Sequence, residues 1–104
     1  MSVNDMIKKF PAALNADAAS DLNVTIQYKT SNPTYLEIKN GQCTVHDGVA
    51  ASADVTLTME DDDLAALLKG ELNGMTAFMT GKLQVDGDLM LAQRLPTLFD
   101  PAKL

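Results

Sequence analysis

The chain has 104 residues and a formal net charge of −6, with 46% of residues hydrophobic and 21% charged. This size makes one domain, residues 1–104, of globular composition. The acidic balance argues against nucleic acid, which needs a basic footprint, and leaves brief collisions as the realistic membrane contact.

No apolar run approaches the ~20 residues that span a bilayer, and the N-terminus lacks the apolar core of a signal peptide. The single cysteine, Cys43, rules out an internal disulfide. Val3, Met6, Ile7, Phe10 and Leu14 repeat at helical spacing, and Ser2 with Asp5 resembles a capping pair. Pro11 removes a donor inside that pattern, so a kink or a break into two short helices is expected. Asn15 to Asp21 reads as an exit loop. Leu22, Val24, Ile26 and Tyr28 then alternate with polar residues, the period of a half-buried strand. Ser31, Asn32 and Pro33 make a turn, and Leu36 and Ile38 alternate in a second strand. Asn40-Gly41 is the strongest hairpin signal, because a type I′ turn needs positive φ at both central residues. A two-residue loop there pairs Ile38 with Cys43 and Leu36 with Val45 on one face, and sets Tyr35 against His46 on the other.

Asp47 to Asp54 is a polar, Ala-rich connection long enough to cross the sheet. Val55, Leu57 and Met59 form a fourth strand. Glu60 to Asp63 open a helix whose inner stripe is Leu64, Leu67 and Leu68, and Gly70 ends it. Those four acids are consecutive and point in different directions around a first turn, where the helix dipole favours negative charge, so no metal site is expected. Met75, Phe78 and Met79 share one stripe of the next short helix, with Gly81 just past it in a left-handed cap. Leu83 and Val85 alternate in a fifth strand. Gly87 turns the chain, and Asp88 is placed to cap a last helix carrying Leu89, Met90, Leu91, Ala92, Leu95, Leu98 and Phe99. Every strand alternates, so one sheet face is apolar and the amphipathic helices lie on it. The result is a two-layer α+β sandwich with a polar outer face of Thr25, Gln27, Glu37, Lys39, Thr56 and Gln84.

The stretch from Asp54 to Phe99 resembles the sterol carrier protein type 2 family. The residues that carry the resemblance are the D-V-T-L-T-M strand entering an acidic helix start, the G-M-x-A-F-M-x-G-K-L-x-V-x-G-D core and the L-x-x-L-F ending. The N-terminal half fits in pattern. The resemblance implies a five-stranded mixed sheet in the order 3-2-1-4-5, with helices on one face enclosing an apolar tunnel. It further implies a stand-alone lipid-transfer domain taking fatty acid, acyl-CoA, phospholipid or sterol, with no catalytic residues and no cofactor. On that footing the ligand-binding candidates are Leu64, Leu68, Met75, Phe78, Met79, Leu83, Met90, Leu91, Leu95, Leu98 and Phe99. An empty rigid void on the order of 300 Å³ would cost about 7 kcal/mol at ~24 cal/mol per Å³, against the ~5–15 kcal/mol of net stability a domain has. Either the helices collapse inward or a lipid fills the space. Pro96 interrupts the last helix, so Thr97 to Phe99 are expected to hinge, with Leu98 and Phe99 as a lid over one mouth.

Enzyme chemistry would have to use His46, Asp86, Asp88 or Cys43. His46 should lie on the outer sheet face beside Tyr35, and Cys43 should point inward with no histidine to activate it. A third class is an interaction or substrate-presenting module, pairing weakly with a second copy through the polar face or an exposed edge strand. The terminal Ala102-Lys103-Leu104 resembles the peroxisomal S-K-L address with Ala for Ser. The compact acidic form resembles bacterial members and favours the cytoplasm, with the peroxisomal matrix the alternative in a eukaryote.

Overall fold

The computed structural model describes residues 3–69 and 71–98. The central hairpin follows directly from two residues. Asn40 and Gly41 take φ values of 54° and 74°, the left-handed pair that a type I′ turn requires. That turn joins β2 (Thr34–Lys39) to β3 (Gln42–Asp47) and sets the register Ile38↔Cys43, Leu36↔Val45 and Tyr35↔His46. The expected pairing is the observed one. β1 (Asn23–Lys29) runs antiparallel to β2, and β4 (Val55–Thr58) lies parallel on the other side of β1. β5 (Gln84–Gly87) closes the far edge antiparallel to β4, giving one mixed sheet in the order β3-β2-β1-β4-β5. This is the α+β fold that the family resemblance implies.

The helices lie on the face of the sheet that carries Ile26, Tyr28, Leu36, Ile38, Val55 and Leu57, all buried in one continuous core. The N-terminal pattern breaks as expected, into α1 (Val3–Ile7) and α2 (Phe10–Ala13), with Pro11 in the first turn of α2 where its missing N–H is harmless. Phe10 meets Tyr28 at a ring-centroid separation of 5.9 Å and an interplanar angle of 56°. Burial raises the Tyr28 hydroxyl pKa well above that of a free phenol. The expected exit loop instead contains α3 (Ala16–Ala19). The Asn15 side chain accepts a bond from Ala18 N at 3.4 Å, and this cap turns an Ala-rich stretch into helix. α4 (Asp61–Leu68) follows β4, α5 (Gly74–Met79) follows α4, and α6 (Leu89–Leu98) ends the described chain. The expected interruption at Pro96 is absent: α6 continues through it to Leu98. Pro96 falls in the last turn, where few ladder bonds remain to lose, and Asn15 N donates to the Leu98 carbonyl at 2.7 Å to hold that end. Phe99, Gly70 and the terminal tripeptide lie outside the described residues.

Between β3 and β4 the chain crosses the polar face of the sheet, and one buried side chain holds it there. Gln27 Nε2 donates to the carbonyls of Tyr28, Thr34 and Gly48 at 3.2, 3.3 and 3.1 Å, and its Oε1 accepts from Ala50 N at 2.7 Å. It is 2% exposed, a correction to its expected place on an open polar surface. Asp54 ends the crossover by accepting from Thr25 N at 2.7 Å through its carboxylate, and its carbonyl accepts from Asp88 N at 2.9 Å. Gly87 sits against this point at φ 103°, where a β-carbon would stand 2.5 Å from the Asp54 carbonyl oxygen. Only glycine fits both the angle and the space.

Candidate functional site

The candidate ligand residues divide by depth. Leu64, Leu83, Leu91 and Leu98 are buried in the core against the sheet, and Leu68 is half-buried at its border. Met75, Phe78, Met79 and Met90 stand outside it, 62%, 47%, 78% and 73% exposed. The Leu95 side chain and Phe99 lie outside the described residues. The expected enclosed tunnel is not outlined by the described residues: the leucines of the helix layer belong to the same core as the strands.

The arrangement of α5 explains this division. Asn73 caps it, its Oδ1 accepting from Met75 N at 2.8 Å and Thr76 N at 3.3 Å. At the other end the Ala77 carbonyl accepts from both Lys82 N at 2.9 Å and Leu83 N at 3.0 Å, with Gly81 at φ 80° making the reversal. These two turns fix how the helix is rotated. The face they set against the core carries Ala77, fully buried and small enough for close backbone approach. Met75 and Met79, one turn apart, then fall on the flank opposite Ala77, with Phe78 beside them. The apolar stripe expected to line a tunnel between helices and sheet faces outward instead.

α6 repeats the theme more weakly. Asp88 caps it by accepting from Leu91 N at 3.1 Å, as its position before the helix suggests. Leu91 and Leu98 point inward, while Leu89 and Met90 are exposed at the start. Arg94 anchors the middle, donating to the Ala18 carbonyl at 3.2 Å and to Asp21 at 3.3 Å. Sequence periodicity correctly marks α5 and α6 as over-supplied with apolar surface but does not say which side it is on.

A cleft of about 850 Å³ lies near the other end of α5, lined by Ser31, Thr58, Met59, Glu60, Asp61, Asp63, Thr80, Gly81, Lys82 and Gln84. Apart from Met59 and Gly81 its lining residues carry polar or charged groups. Asp61 is already engaged there, accepting from Ser31 through both the backbone N–H and the hydroxyl, and these bonds hold its carboxyl below the usual carboxylate range. Among the described residues no cluster of His, Cys, Asp and Glu is arranged to hold a metal ion.

The acid–base candidates stay apart. His46 stacks on Tyr35 at 5.0 Å and 21° and lies 3.5 Å from Glu37, on the face away from the helices. Cys43 is half-buried, and burial pushes its thiol up to about 11, which suppresses the reactive thiolate. Asp88 is used as a helix cap and Asp86 faces solvent. None of them converges on the apolar stripe. No helix among the described residues is long and apolar enough to cross a membrane.

Fold and surface together define a small α+β domain whose helix layer presents apolar side chains that its own core does not use. Residues 3–100 match the model of the SCP-2 sterol transfer family, and the chain belongs to that family. Sterol carrier protein 2 of Bos taurus is 43% identical over 63 residues, which cover 61% of this chain but 12% of the bovine protein. Among solved structures, the apo form of sterol carrier protein 2 from Yarrowia lipolytica superposes with a TM-score of 0.78 at 27% identity, covering 94% of this chain and 89% of that one. Palmitated SCP2L2 from Aedes aegypti gives a TM-score of 0.72 at 27% identity, covering 91% of each chain.

Proposed function

We propose that this chain binds and carries a hydrophobic ligand built on an extended acyl chain, without transforming it. The observation that carries the proposal is the outward stripe of α5. Large apolar side chains grouped on one exposed helix face mark a binding surface more often than idle surface. Methionine, with an unbranched and polarisable side chain, adapts to a flexible partner. The acyl preference rests on the sparse aromatic content of the chain, 5% of residues, and on likeness to a neighbour solved with palmitate. In this reading Met75, Phe78, Met79 and Met90 meet the ligand first. Leu64, Leu68, Leu83, Leu91 and Leu98 form the floor. Brief membrane collisions supply and remove the ligand.

Native mass spectrometry of the purified chain, followed by solvent extraction, tests the idea. A stoichiometric mass increment that extracts as fatty acid or phospholipid is expected. A bare mass is followed by titration with a fluorescent fatty acid, for which saturable one-to-one binding is expected. Absence of binding overturns the carrier reading and leaves an interaction or substrate-presenting module.

A further inference from the structure

The two edges of the sheet are protected very differently. β5 is four residues long, carries Asp86, and ends at Gly87 with φ 103°, so little flat edge remains for another strand. β3 is six residues long, Gln42-Cys43-Thr44-Val45-His46-Asp47, with no proline and no lysine, and among the described residues no strand lies beyond it. Short length, charge and proline are the usual defences of an edge, and β3 lacks all of them over its central four residues.

The hairpin dictates which backbone groups that edge offers. In a two-residue hairpin the residues flanking the turn, Lys39 and Gln42, exchange both ladder bonds. Bonding alternates from there, so Gln42, Thr44 and His46 point their N–H and C=O groups at β2. The N–H and C=O groups of Cys43, Val45 and Asp47 therefore face outward from the sheet. The side chains of Cys43 and Val45, on the helix-side face, are only half-buried because no neighbouring strand covers them.

We propose that β3 pairs antiparallel with β3 of a second copy of this chain, centred on Thr44. In this register Cys43 of one copy lies opposite Val45 of the other, twice, each pair exchanging both backbone bonds and covering apolar with apolar. Gln42 lies opposite His46 on the polar face, and no like charges are directly opposed. A register centred one residue later, on Val45, sets Asp47 against Cys43, a carboxylate on a thiol, and is disfavoured. The α2 helix contacts β3, and among the described residues no strand pairs with its outer edge. Two sheets thus continue into one of ten strands, independently of whether a lipid is bound.

Thr44 is the position to test, because its side chain is exposed on the polar face. Facing itself in a non-hydrogen-bonded pair, its Cα atoms would lie about 4.5 Å apart, within the roughly 4.4–6.8 Å range for a disulfide. Sedimentation equilibrium from micromolar to millimolar concentration should show the native chain rising toward twice the monomer mass and Thr44→Lys remaining at the monomer mass. In parallel, Cys43→Ala/Thr44→Cys should form a covalent dimer under mild oxidant at least about tenfold faster than Cys43→Ala/Asp86→Cys on the other edge, because pairing raises the local thiol concentration. A native chain that stays monomeric throughout overturns the proposal. A dimer indifferent to Thr44→Lys, or a Thr44→Cys variant that links no faster than the Asp86→Cys control, also overturns it.

Discussion

The β1–β2–β3 meander and the α5 helix are built from equally clear periodic patterns, yet one pattern predicts burial and the other predicts only composition. In the meander Ile26, Leu36 and Ile38 are wholly inaccessible, and they are the residues that alternation and the Asn40-Gly41 turn select. In α5 the periodic stripe of Met75, Phe78 and Met79 is exposed, and the off-stripe Ala77 is buried. The difference lies in how many constraints act on each. A strand is fixed by its pleat, by its register with a neighbour, and by a turn of defined geometry, and a one-residue error would invert every side chain. A six-residue helix is oriented by whatever holds its ends, here Asn73 and the Ala77–Leu83 reversal, and its apolar stripe is left outside the core.

Substitutions can break this contrast or sharpen it. The largest effect is expected in the meander: Ile38→Ala should lower unfolding free energy by about 2–5 kcal/mol, the range for a truncated core side chain, measured by urea denaturation. Gln27→Leu should come next, at about 1–3 kcal/mol, because it leaves Ala50 N–H and the Gly48 carbonyl without their buried partner; faster amide exchange at Ala50 would locate the damage. A smaller, pH-dependent effect is expected at Asp61. Its folded pKa lies below the unfolded value because the ionised carboxylate binds Ser31. Its contribution is therefore complete above the ordinary carboxylate pKa and is lost as pH falls through the depressed folded value. Asp61→Asn should flatten the acid limb of the stability profile while leaving the alkaline limb unchanged. The smallest stability effect is expected for Met75→Gln/Met79→Gln, within about 0.5 kcal/mol as for exposed sites, together with a clear loss of fluorescent fatty-acid binding. A large stability loss in that double variant would show that the stripe is core after all, and the contrast would disappear.

Most of the sheet could be read from the residues alone, including the hairpin register and the polar crossover, because turn chemistry and alternation agreed. Its order came from family resemblance, since nothing local in β4 says that it will lie beside β1. Three features were not legible. Asn15 capping α3 was hidden by an Ala-rich composition that also suits a loop. The burial of Gln27 depended on where the connection between β3 and β4 would settle, with its contacts at Gly48 and Ala50 lying 21 and 23 residues away in sequence. The continuity of α6 through Pro96 depended on a bond from Asn15 to Leu98, far apart in sequence. For the candidate site, the sequence identified the apolar residues of α5 and α6, but the rotation of α5 depends on tertiary hydrogen bonds that no periodicity encodes.

The Gln27 latch also predicts an order of folding events. The meander is joined by turns between neighbours in the chain, whereas β4 pairs with β1 only across the long connection that follows β3. Contacts distant in sequence are slow because a longer loop must be closed first. Gln27 joins the first three strands to the connection at Gly48 and Ala50, and so ties the early half of the molecule to the late half. Its replacement should slow the docking of β4 and β5 while leaving the collapse of the hairpin untouched, turning one cooperative folding step into two that can be timed apart.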